Sequence, residues 1–464
     1  MKKRELINLG YPTGPVLNAA LTACGAARDA GIQASDLRGI LASVLAHPAE
    51  YLSDAHFGEV ARLLHKPTAA EAGYVLREDL RYARWGEGIE AGALEQMRNA
   101  CRLPVSVGAA LMPDAHVGYG LPIGGVLATV GAVIPYAVGV DIACRVKMTV
   151  FDLPPTVLQA EPARYANILE RETLFGVGGK WRSGAPEHPV LDEDWAVTRV
   201  TRGLRDLARQ QLGTSGSGNH FVEFGEVEFG AGESVAPEGR YLAVVSHSGS
   251  RGSGATICSH YSKLARELHP NLPKELSYLA WLPMDGEGAE YWAAMELMGR
   301  YASANHAVIH DKIRRAVGAR VVYEVENHHN FAWKEQHGGR EVIVHRKGAT
   351  PAGPGVYGYI PGTMAAPGYL VEGLGNADAL YSASHGAGRC MSRTAAREKF
   401  RRSHVDAYLA ERGVRCLSAG LDESPLAYKD IEAVMAAQSD LVRRVAKFTP
   451  RLVKMAPEGE RPED

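Results

Sequence analysis

The first 66 residues carry apolar side chains at helical spacing. The clearest run recurs at intervals of three and four residues: Leu37, Ile40, Leu41, Val44 and Leu45. Such spacing lines one face of a helix. Prolines break the segment into several pieces: Pro12, Pro15 and Pro48. The pattern predicts a small helical N-terminal extension over residues 1–74, and its last stretch, 65–73, is typical of a linker.

From residue 75 onward, short β-branched runs alternate with glycine-rich loops. Residues 241–245 (YLAVV) and 341–345 (EVIVH) are typical of strands. Intervening amphipathic stretches predict helices at 158–172, 197–211, 287–318, 392–412 and 427–448. Strands and helices mixed in this way predict an α+β fold, with one large mixed catalytic domain over residues 75–464.

Charge and cysteine content narrow the class of protein. The 51 Lys and Arg residues nearly balance the 53 Asp and Glu residues, so nucleic acid could bind only at a local basic surface. The six cysteines form no CxxC pair, which is typical of reduced thiols in the cytosol. No apolar run reaches the roughly 18 to 20 residues needed to cross a bilayer. We therefore expect a cytoplasmic protein with no membrane partner.

Glycine-rich loops invite a search for phosphate-binding motifs. Neither GxxxxGK[ST] nor a GxGxxG after a strand is present. The loops at 213–219 (GTSGSGN) and 247–254 (HSGSRGSG) are therefore not P-loops, although backbone amides in such loops can form anion nests.

Residues that can bind a metal follow apolar runs or lie in glycine-flanked loops. They are Asp141 and Cys144 in GVDIAC, His220 in GSGNHF, His247 in SHSGSRG and His329 in NHHNF. Any one of them alone fits a structural role better, and one sequence does not show that they meet in space. If they meet, the thiolate favours zinc and the carboxylate suits manganese, so both metals stay open. More than four ligands also indicates two ions, with Cys144 as the natural bridge.

A second group of reactive residues lies in SASHGAGRCMSR, residues 382–393. Glycines after His385 allow the backbone to approach a ligand closely. A neutral imidazole can attack phosphorus if its other nitrogen is held by an acceptor, and Arg389 could offset phosphoryl charge. A glycine-rich turn with a surface histidine explains the spacing at least as well.

Basic residues recur every four positions after His385. They are Arg389, Arg393, Arg397 and Arg401, and a helix here would carry them on one face. This stripe suits RNA phosphates, and a solvated helix face explains it equally well.

A series of motifs in order along residues 75–454 resembles the RtcB family of RNA-splicing ligases. The motifs are MPDAHVGYGLPIGGVLATVGAVIPYAVGVDIAC, LGTSGSGNHFVEFG, VVSHSGSRG, ENHHNF, HRKGATPAGPGVYGYIPGTM, SASHGAGRCMSR and AYKDIEAVMAAQSDLV. Such a series is far more specific than any single motif.

The resemblance implies the cofactors and a role for each residue. The implied ligands of two Mn2+ ions are Asp141, Cys144, His220, His247 and His329. His329 is chosen over His328 because the family's ligand directly precedes the asparagine, here Asn330. His385 is implied to attack the α-phosphate of GTP. The residues implied around the guanylate are Asn219, Glu223, Lys347, Thr363, Arg389 and Tyr428.

The implied reaction joins an RNA 3'-phosphate, or a 2',3'-cyclic phosphate opened to it, to a 5'-hydroxyl. His385 is guanylylated, GMP passes to the 3'-phosphate, and the 5'-hydroxyl then expels GMP. Two other functions stay open: a metal-dependent phosphoesterase or nucleotidyl transferase that does not join RNA, and a catalytically silent RNA-binding relative. The sequence also leaves open whether an activating partner protein is required.

Three departures from the family pattern concern the nucleotide and metal sites. Ala143 and Arg145 flank Cys144 where the family has glycines, and Arg145 is expected to add a cation near the metals. Gly368 stands where a serine that touches guanine is expected. The chain continues past the usual V-K-G terminus, where Lys454 is a loosely aligned substitute for the family lysine.

Overall fold

The computed structural model describes residues 1–65, 74–181, 184–232 and 235–462. The chain forms two units, Met1–Tyr74 and Val75–Asp464. The predicted linker at 65–73 lies, apart from His65, outside the described residues. Within the described ranges, no helix combines the length and the apolar character needed to cross a bilayer.

The N-terminal unit is helical, as the apolar spacing predicts. Its helices are α1 Lys3–Asn8, α2 Pro15–Asp29, α3 Ala34–Ala46 and α4 Gly58–Leu64. Leu37, Leu41 and Val44 are fully buried on one face of α3, where they pack with Leu17 of α2. Pro15 begins α2, a position where its missing N–H costs nothing.

The larger unit combines strands and helices, which confirms the α+β prediction. Its strands in the described residues are β1 Ala83–Arg84, β2 Ser106–His116, β3 Ile123–Thr129, β4 Ala132–Val133, β5 Arg145–Phe151, β6 Phe221–Phe229, β7 Gly239–Ser248, β8 Leu282–Pro283, β9 Val321–His328, β10 Asn330–His337, β11 Arg340–Lys347, β12 Ala349–Pro351, β13 Tyr357–Ile360, β14 Gly368–Gly373, β15 Ser382–Ser384, β16 Arg415–Ser418 and β17 Val442–Met455. Its helices there are α5 Ala91–Cys101, α6 Pro135–Val138, α7 Val157–Ala160, α8 Pro162–Glu172, α9 Arg199–Arg202, α10 Arg205–Gln211, α11 Arg251–Leu268, α12 Glu287–Val317, α13 Arg393–Lys399, α14 Arg402–Glu411 and α15 Ile431–Ala437.

Two sheets form the frame of this unit. One has five strands in the order β1-β2-β3-β11-β10. The other has eight: β13-β14-β17-β6-β7-β5-β9 in order, with β16 beside β17. Side chains alternate across the larger sheet, as strand geometry requires. On β7, Leu242 and Val244 pack in a cluster with Ile309 of α12, whereas Ala243 and Val245 belong to the cluster on the opposite face.

Most predicted helices are present, although several are divided. The segment 158–172 is split into α7 and α8, 197–211 into α9 and α10, and 392–412 into α13 and α14. The long helix predicted at 287–318 is α12, which ends at Gly318 with a left-handed φ of 72°.

The prediction of a helix over 427–448 is wrong for most of that segment. Only Ile431–Ala437 is helical, and the chain enters strand β17 at Val442. Because β17 pairs with β14 on one side and β6 on the other, non-local hydrogen bonds outweigh the local apolar spacing.

Candidate metal and nucleotide site

Four neighbouring strands bring the predicted metal ligands to one end of the larger sheet. Cys144 directly precedes β5, His220 directly precedes β6, His247 is the penultimate residue of β7, and His329 directly follows β9. These strands lie in the order β6-β7-β5-β9, and each pair of neighbours is antiparallel. The start of one strand therefore lies beside the end of the next, and the four side chains meet.

Their donor atoms form two groups that share Cys144. One group is Cys144, His247 and His329, and the other is Asp141, Cys144 and His220, with the donor atoms of each group within 4.8 Å of one another. The Cys144 Sγ lies 3.1 Å from His247 Nε2 and 3.4 Å from His220 Nε2. The His247 and His329 Nε2 atoms are 3.2 Å apart. This spacing suits two ions with a thiolate between them.

Hydrogen bonds on the far side of two imidazoles aim them at this space. The His220 Nδ1 lies 2.7 Å from the Ser215 carbonyl oxygen, and the His247 Nδ1 lies 3.1 Å from that of Asn219. When Nδ1 donates to a carbonyl, Nε2 keeps its lone pair for a metal. Backbone carbonyls therefore select the tautomer that a metal site needs.

The opposite face of β7 fixes the direction of His247. Ser246 and Ser248 alternate with it and face α12, where the Ser246 Oγ lies 2.7 Å from His306 Nδ1. The other ring nitrogen of His306 lies 3.0 Å from the Ser248 carbonyl oxygen. With its neighbours held on the helix side, His247 points to the other face.

Burial sets the protonation of the ligands. It lowers the pKa of His247 and of His329 well below the ordinary value, so both rings are neutral at pH 7. Although burial opposes ionisation of Asp141, the adjacent His220 holds the pKa of that carboxyl below its ordinary value. Neutral imidazoles beside a carboxylate are the forms that bind a divalent cation.

The surroundings of the buried Asp141 Oδ2 atom indicate whether these residues fit a metal. Asp141 Oδ2 makes no hydrogen bond among the described residues, yet it lies 3.0 Å from His220 Nε2. With the His220 proton on Nδ1, these two electron-rich atoms repel each other unless a second proton or a metal ion lies between them. A divalent ion would resolve this contact, so the donor set fits a metal.

Glycine at position 249 makes room for the Asp141 carboxylate. A Cβ there would lie 2.1 Å from Asp141 Oδ1, closer than any contact allows. The next residue, Ser250, donates its backbone N–H to the same oxygen at 3.1 Å. The glycine in the SGSRG loop is therefore required by the Asp141 carboxylate that faces it.

The residues that flank Cys144 differ in their effects. Ala143 holds a left-handed φ of 59°, which is strained for a residue with a Cβ. Arg145 is buried, ion-pairs with Glu326, and donates to the Gly299 carbonyl at 2.8 Å. The expectation of an additional cation beside the metals is therefore corrected, since Glu326 balances the charge of Arg145.

The rings of His328 and His329 lie in different surroundings. The ring of His328 lies 5.0 Å from the rings of both Phe331 and Trp333 and packs as an apolar group. The ring of His329 lies instead 4.8 Å from that of His385. His385, the candidate nucleophile, thus lies beside the predicted ligands. These residues, here called the ligand cluster, are Asp141, Cys144, His220, His247 and His329.

His385 is held by a carboxylate that sequence reasoning missed. Asp114, on β2, is completely buried, and its Oδ2 lies 2.7 Å from His385 Nδ1 and accepts the His385 backbone N–H at 3.2 Å. Among the described residues nothing hydrogen-bonds His385 Nε2. The available signal was the acid in MPDAHVG, because the reactive imidazole needs an acceptor on its other nitrogen.

Lys429 ties the Asp114 strand to the His385 loop. Its ammonium donates to the carbonyls of Pro113 and Ala115 at 3.0 and 2.7 Å, and its backbone N–H donates to that of Gly388 at 2.9 Å. Gly388 allows this approach, because a Cβ there would lie 2.0 Å from the Asp114 carbonyl oxygen. Both partners of the Asp114–His385 hydrogen bond are thereby fixed.

A cleft beside His385, here called the His385 cavity, collects most of the residues predicted around the nucleotide. It encloses about 850 Å³ of space between atoms, part of it open to solvent. Its walls include Asn219, Glu223, Thr363, Arg389 and Tyr428. These residues come from segments far apart in the sequence, and the fold brings them together.

Lys347 lies instead in an adjoining cleft, here called the Cys144 cavity, which Asp141, Cys144 and His220 also line. Burial lowers the pKa of Lys347 to about 8. Its ammonium donates to the Tyr119 carbonyl at 2.5 Å. Lys347 is therefore on the metal side of the site.

Glu223 lies on β6 in the wall of the His385 cavity. Burial raises its pKa to about 8, so the carboxyl holds a proton at pH 7.

Gly368 leaves room for Tyr359: a Cβ at Gly368 would lie 2.0 Å from the Tyr359 hydroxyl oxygen. Serine is excluded at this position unless Tyr359 moves.

The basic stripe is not one helix face. Arg389 precedes α13, and Arg401 lies in the break before α14. Arg393 and Arg397 ion-pair with Asp422, and Arg389 and Arg393 ion-pair with Glu423. These arginines are therefore largely neutralised.

Arg389 also packs over the ring of Tyr428 at 5.0 Å and donates to its hydroxyl at 3.2 Å. Lys454 does not reach the His385 cavity, because its ammonium is bonded to the Leu169 carbonyl at 3.1 Å and ion-paired with Glu170 at 2.9 Å. The expectation that Lys454 substitutes for the family lysine near the nucleotide is therefore corrected.

Comparison with known proteins identifies the family. The family model for the tRNA-splicing ligase RtcB matches residues 96–196 and 190–455. The chain is 37% identical to the RNA-splicing ligase RtcB of Escherichia coli strain K12 over 399 residues, which cover 77% of this chain and 93% of that protein. It is 32% identical to the tRNA-splicing ligase RtcB of Archaeoglobus fulgidus, over 78% and 90% of the two chains.

The chain is also 33% identical to the RNA-splicing ligase RtcB of Mycobacterium tuberculosis, over 76% of this chain and 98% of that protein. Residues 1–74 lie before the family match, whereas the ligand cluster and His385 lie inside it. With the matched segments spanning most of the larger unit, the chain belongs to the RtcB family of tRNA-splicing ligases.

Proposed function

We propose that this chain is an RNA ligase that uses GTP and Mn2+ to join a 3'-phosphate or 2',3'-cyclic phosphate end to a 5'-hydroxyl, in RNA repair or splicing. Membership of the RtcB family supports RNA ligation. The observation that carries the finer proposal is the hydrogen bond between Asp114 Oδ2 and His385 Nδ1.

This hydrogen bond prepares His385 as a nucleophile. With its proton on Nδ1 facing Asp114, the ring keeps the Nε2 lone pair for phosphorus. When Nε2 bonds to the α-phosphorus of GTP and pyrophosphate leaves, the ring gains positive charge. The buried Asp114 carboxylate stabilises that charge, as the acid of a catalytic triad does.

The later steps follow from the same intermediate. An oxygen of the RNA 3'-phosphate attacks the guanylate phosphorus, His385 leaves, and the RNA end carries GMP. The 5'-hydroxyl then attacks the 3'-phosphorus, loses its proton and expels GMP. For a cyclic end, water first attacks the phosphorus and the bond to the 2'-oxygen breaks, which leaves a 3'-phosphate and a 2'-hydroxyl. Guanylylation converts a poor leaving group into a good one.

The ligand cluster supports a requirement for two divalent ions. Asp141, His220, Cys144, His247 and His329 would hold them, and bound Mn2+ would neutralise phosphoryl charge and orient the displacements. Glu223 suits the guanine edge once its proton is lost, since a carboxylate accepts from both N1–H and N2–H. Lys347 in the Cys144 cavity suits a phosphate of the nucleotide.

The test is covalent labelling with GTP that carries radiolabel in the α-phosphate, in the presence of Mn2+. Wild type is expected to acquire an acid-labile, alkali-stable label, and His385→Ala to acquire none. His260→Ala removes an exposed histidine on α11 as a matched control and is expected to label normally. Label from another nucleotide only would reject the guanine assignment, and equal label on His385→Ala would reject the nucleophile.

A labelled protein is then given RNA with a 3'-phosphate and a second RNA with a 5'-hydroxyl. Loss of label together with a joined product is expected. Label that passes to no RNA in metal-loaded protein would favour a nucleotidyl transferase that does not join ends.

A further inference from the structure

An exposed tyrosine stands in the wall of the Cys144 cavity. Tyr119 is 60% exposed, although it shares that cavity with Asp141 and Cys144. Its ring lies 5.8 Å from that of Tyr278, which is 39% exposed, and Tyr136 packs edge-on against Tyr278 at 5.0 Å. Single exposed apolar residues are common, but three tyrosines grouped beside a reactive cavity are a larger feature.

The loop that carries Tyr119 is held through its backbone by side chains. Glu90 accepts the Val117 N–H at 2.5 Å. Gln96 donates to the Gly118 carbonyl at 2.5 Å and accepts the Gly118 N–H at 3.0 Å. The Lys347 ammonium binds the Tyr119 carbonyl. Successive peptide groups are thus fixed while the Tyr119 ring faces solvent, so the backbone of this loop need not rearrange when a partner binds the ring.

A positive charge lies next to the Tyr278 ring. Arg266, exposed on α11, places its guanidinium carbon 5.6 Å from the centre of the Tyr278 ring. It makes no ion pair within the ranges that the structure describes. An aromatic surface beside an unpaired cation suits a nucleotide, whose base stacks on the ring and whose phosphate meets the charge.

We propose, on the basis of the proposed function, that the Tyr119 ring is a stacking platform for an unpaired base at the RNA end that enters the Cys144 cavity. Tyr278 packs against Tyr119 at an angle of 58°, and Arg266 over Tyr278 lies beside the adjoining phosphate. Stacking does not depend on base identity, because every base offers a π face. The platform therefore selects a single-stranded end and tolerates any sequence.

The experiment separates RNA binding from sealing. Short RNAs carry 2-aminopurine as the terminal base, in one arm on the 3'-phosphate strand and in the other on the 5'-hydroxyl strand. Binding to wild type is expected to quench the fluorescence of one strand by stacking, and the arm that responds identifies the end. Sealing by protein already labelled with GMP is measured against RNA concentration, so differences in guanylylation do not enter.

Tyr119→Ala is expected to weaken quenching and to raise the half-saturating RNA concentration by roughly 5- to 100-fold, the range for loss of one base–aromatic stack. Tyr119→Trp keeps a stacking ring and is expected to stay within about 3-fold of wild type. Tyr241→Ala is the matched control, because Tyr241 lies six residues before His247 on β7, about 20 Å away, and lines neither cavity.

Unchanged quenching and unchanged half-saturation in Tyr119→Ala would overturn the platform. Equal loss in Tyr119→Ala and Tyr119→Trp would also overturn it, since a stacking ring would then not be what matters. Wild type that quenches but does not seal would reject the proposed ligation and leave the platform supported.

Discussion

Asp114 and His385 lie 271 positions apart in the sequence and form one chemical unit in the fold. The other carboxylate oxygen of Asp114, Oδ1, is buried and has no hydrogen-bond partner among the described residues. A buried carboxylate with so few partners is costly to keep, which is expected of a group retained for chemistry rather than stability.

Asp114→Asn tests this unit with little change of shape. The amide can still accept from the His385 N–H groups, but it cannot stabilise positive charge on the ring. The guanylylation rate is expected to fall by on the order of 10² to 10⁴, as for a buried aspartate beside a catalytic histidine. Rapid-quench labelling with GTP measures this rate, and a rate within about 2-fold of wild type would contradict the assigned role.

Glu223 makes the stability of the folded chain depend on pH. The folded chain holds a proton on this carboxyl up to about pH 8, against an ordinary pKa of 4.5 in the unfolded chain. The folded state therefore binds more protons between these values. The contribution of Glu223 to stability is fully present below pH 4.5 and is lost as the pH rises through 8.

Glu223→Gln removes this dependence. The difference in free energy of unfolding between wild type and variant is expected to decrease as pH rises from 5 to 8, by at most about 1.4 kcal/mol per pH unit. Urea unfolding at four pH values measures it. Glu226→Gln, on the same strand but ion-paired with Arg240, is the control and should run parallel to wild type. A difference independent of pH would show that Glu223 is ionised throughout.

At the scale of elements, the segment from Tyr428 to β17 shows how a local pattern is overruled. Ile431, Val434 and Met435 have helical spacing, and they are buried on α15. The same spacing does not continue into a helix after Gln438, because Val442 onward fills the gap between β14 and β6. Helix propensity acts within a few residues, whereas the partners of β17 lie far away in sequence.

Lys429, two residues before α15, holds two parts of the site together. Lys429 joins β2, through the carbonyls beside Asp114, to the loop after His385. Burial lowers the pKa of Lys429, and the Asp114 carboxylate opposes this shift. Asp114 therefore favours the charged form of Lys429.

Lys429→Met is expected to slow guanylylation by roughly 10- to 100-fold, as loss of a supporting hydrogen bond around a site typically does. Without the Lys429 ammonium, the Pro113 and Ala115 carbonyls lose their donor, and β2 is no longer tied to the loop after His385 through this side chain. Lys429→Arg keeps the donors and charge and should recover part of the rate. Lys263→Met, on the exposed face of α11, is the control. A Lys429→Met rate equal to that of Lys263→Met would contradict the supporting role of Lys429.

At the scale of the whole molecule, the ligand cluster joins strands that are far apart in the sequence. Its residues span positions 141 to 329 and meet only when β6, β7, β5 and β9 have paired. A metal that binds this cluster binds the folded chain and not the unfolded one, so it should stabilise the fold.

Metal removal tests this linkage. Saturating Mn2+, at about 100 times its dissociation constant, is expected to add about 2.7 kcal/mol for each bound ion to the free energy of unfolding of chelator-treated protein. Cys144→Ala removes the shared ligand and should lose most of this gain. Cys258→Ala removes a buried cysteine on α11 outside the cluster and should keep it. An equal gain in both variants would exclude Cys144 as a ligand.

The sequence by itself determined the fold class, most helix positions and the identity of the candidate ligands. Helical periodicity can be recognised from neighbouring residues, and the motifs that resemble RtcB contain the candidate ligands and His385 themselves. Neither inference required a structure. The series from GVDIAC to SASHGAGRC therefore led to the cluster and to His385.

Tertiary structure alone decided what depends on distance. It placed Asp114 against His385, paired Arg145 with Glu326, neutralised the arginines after His385 and turned Lys454 away from the His385 cavity. Each of these contacts joins residues that no local pattern connects. Burial and charge pairing depend on what the fold brings near, and for that reason they could not be read from spacing along the chain.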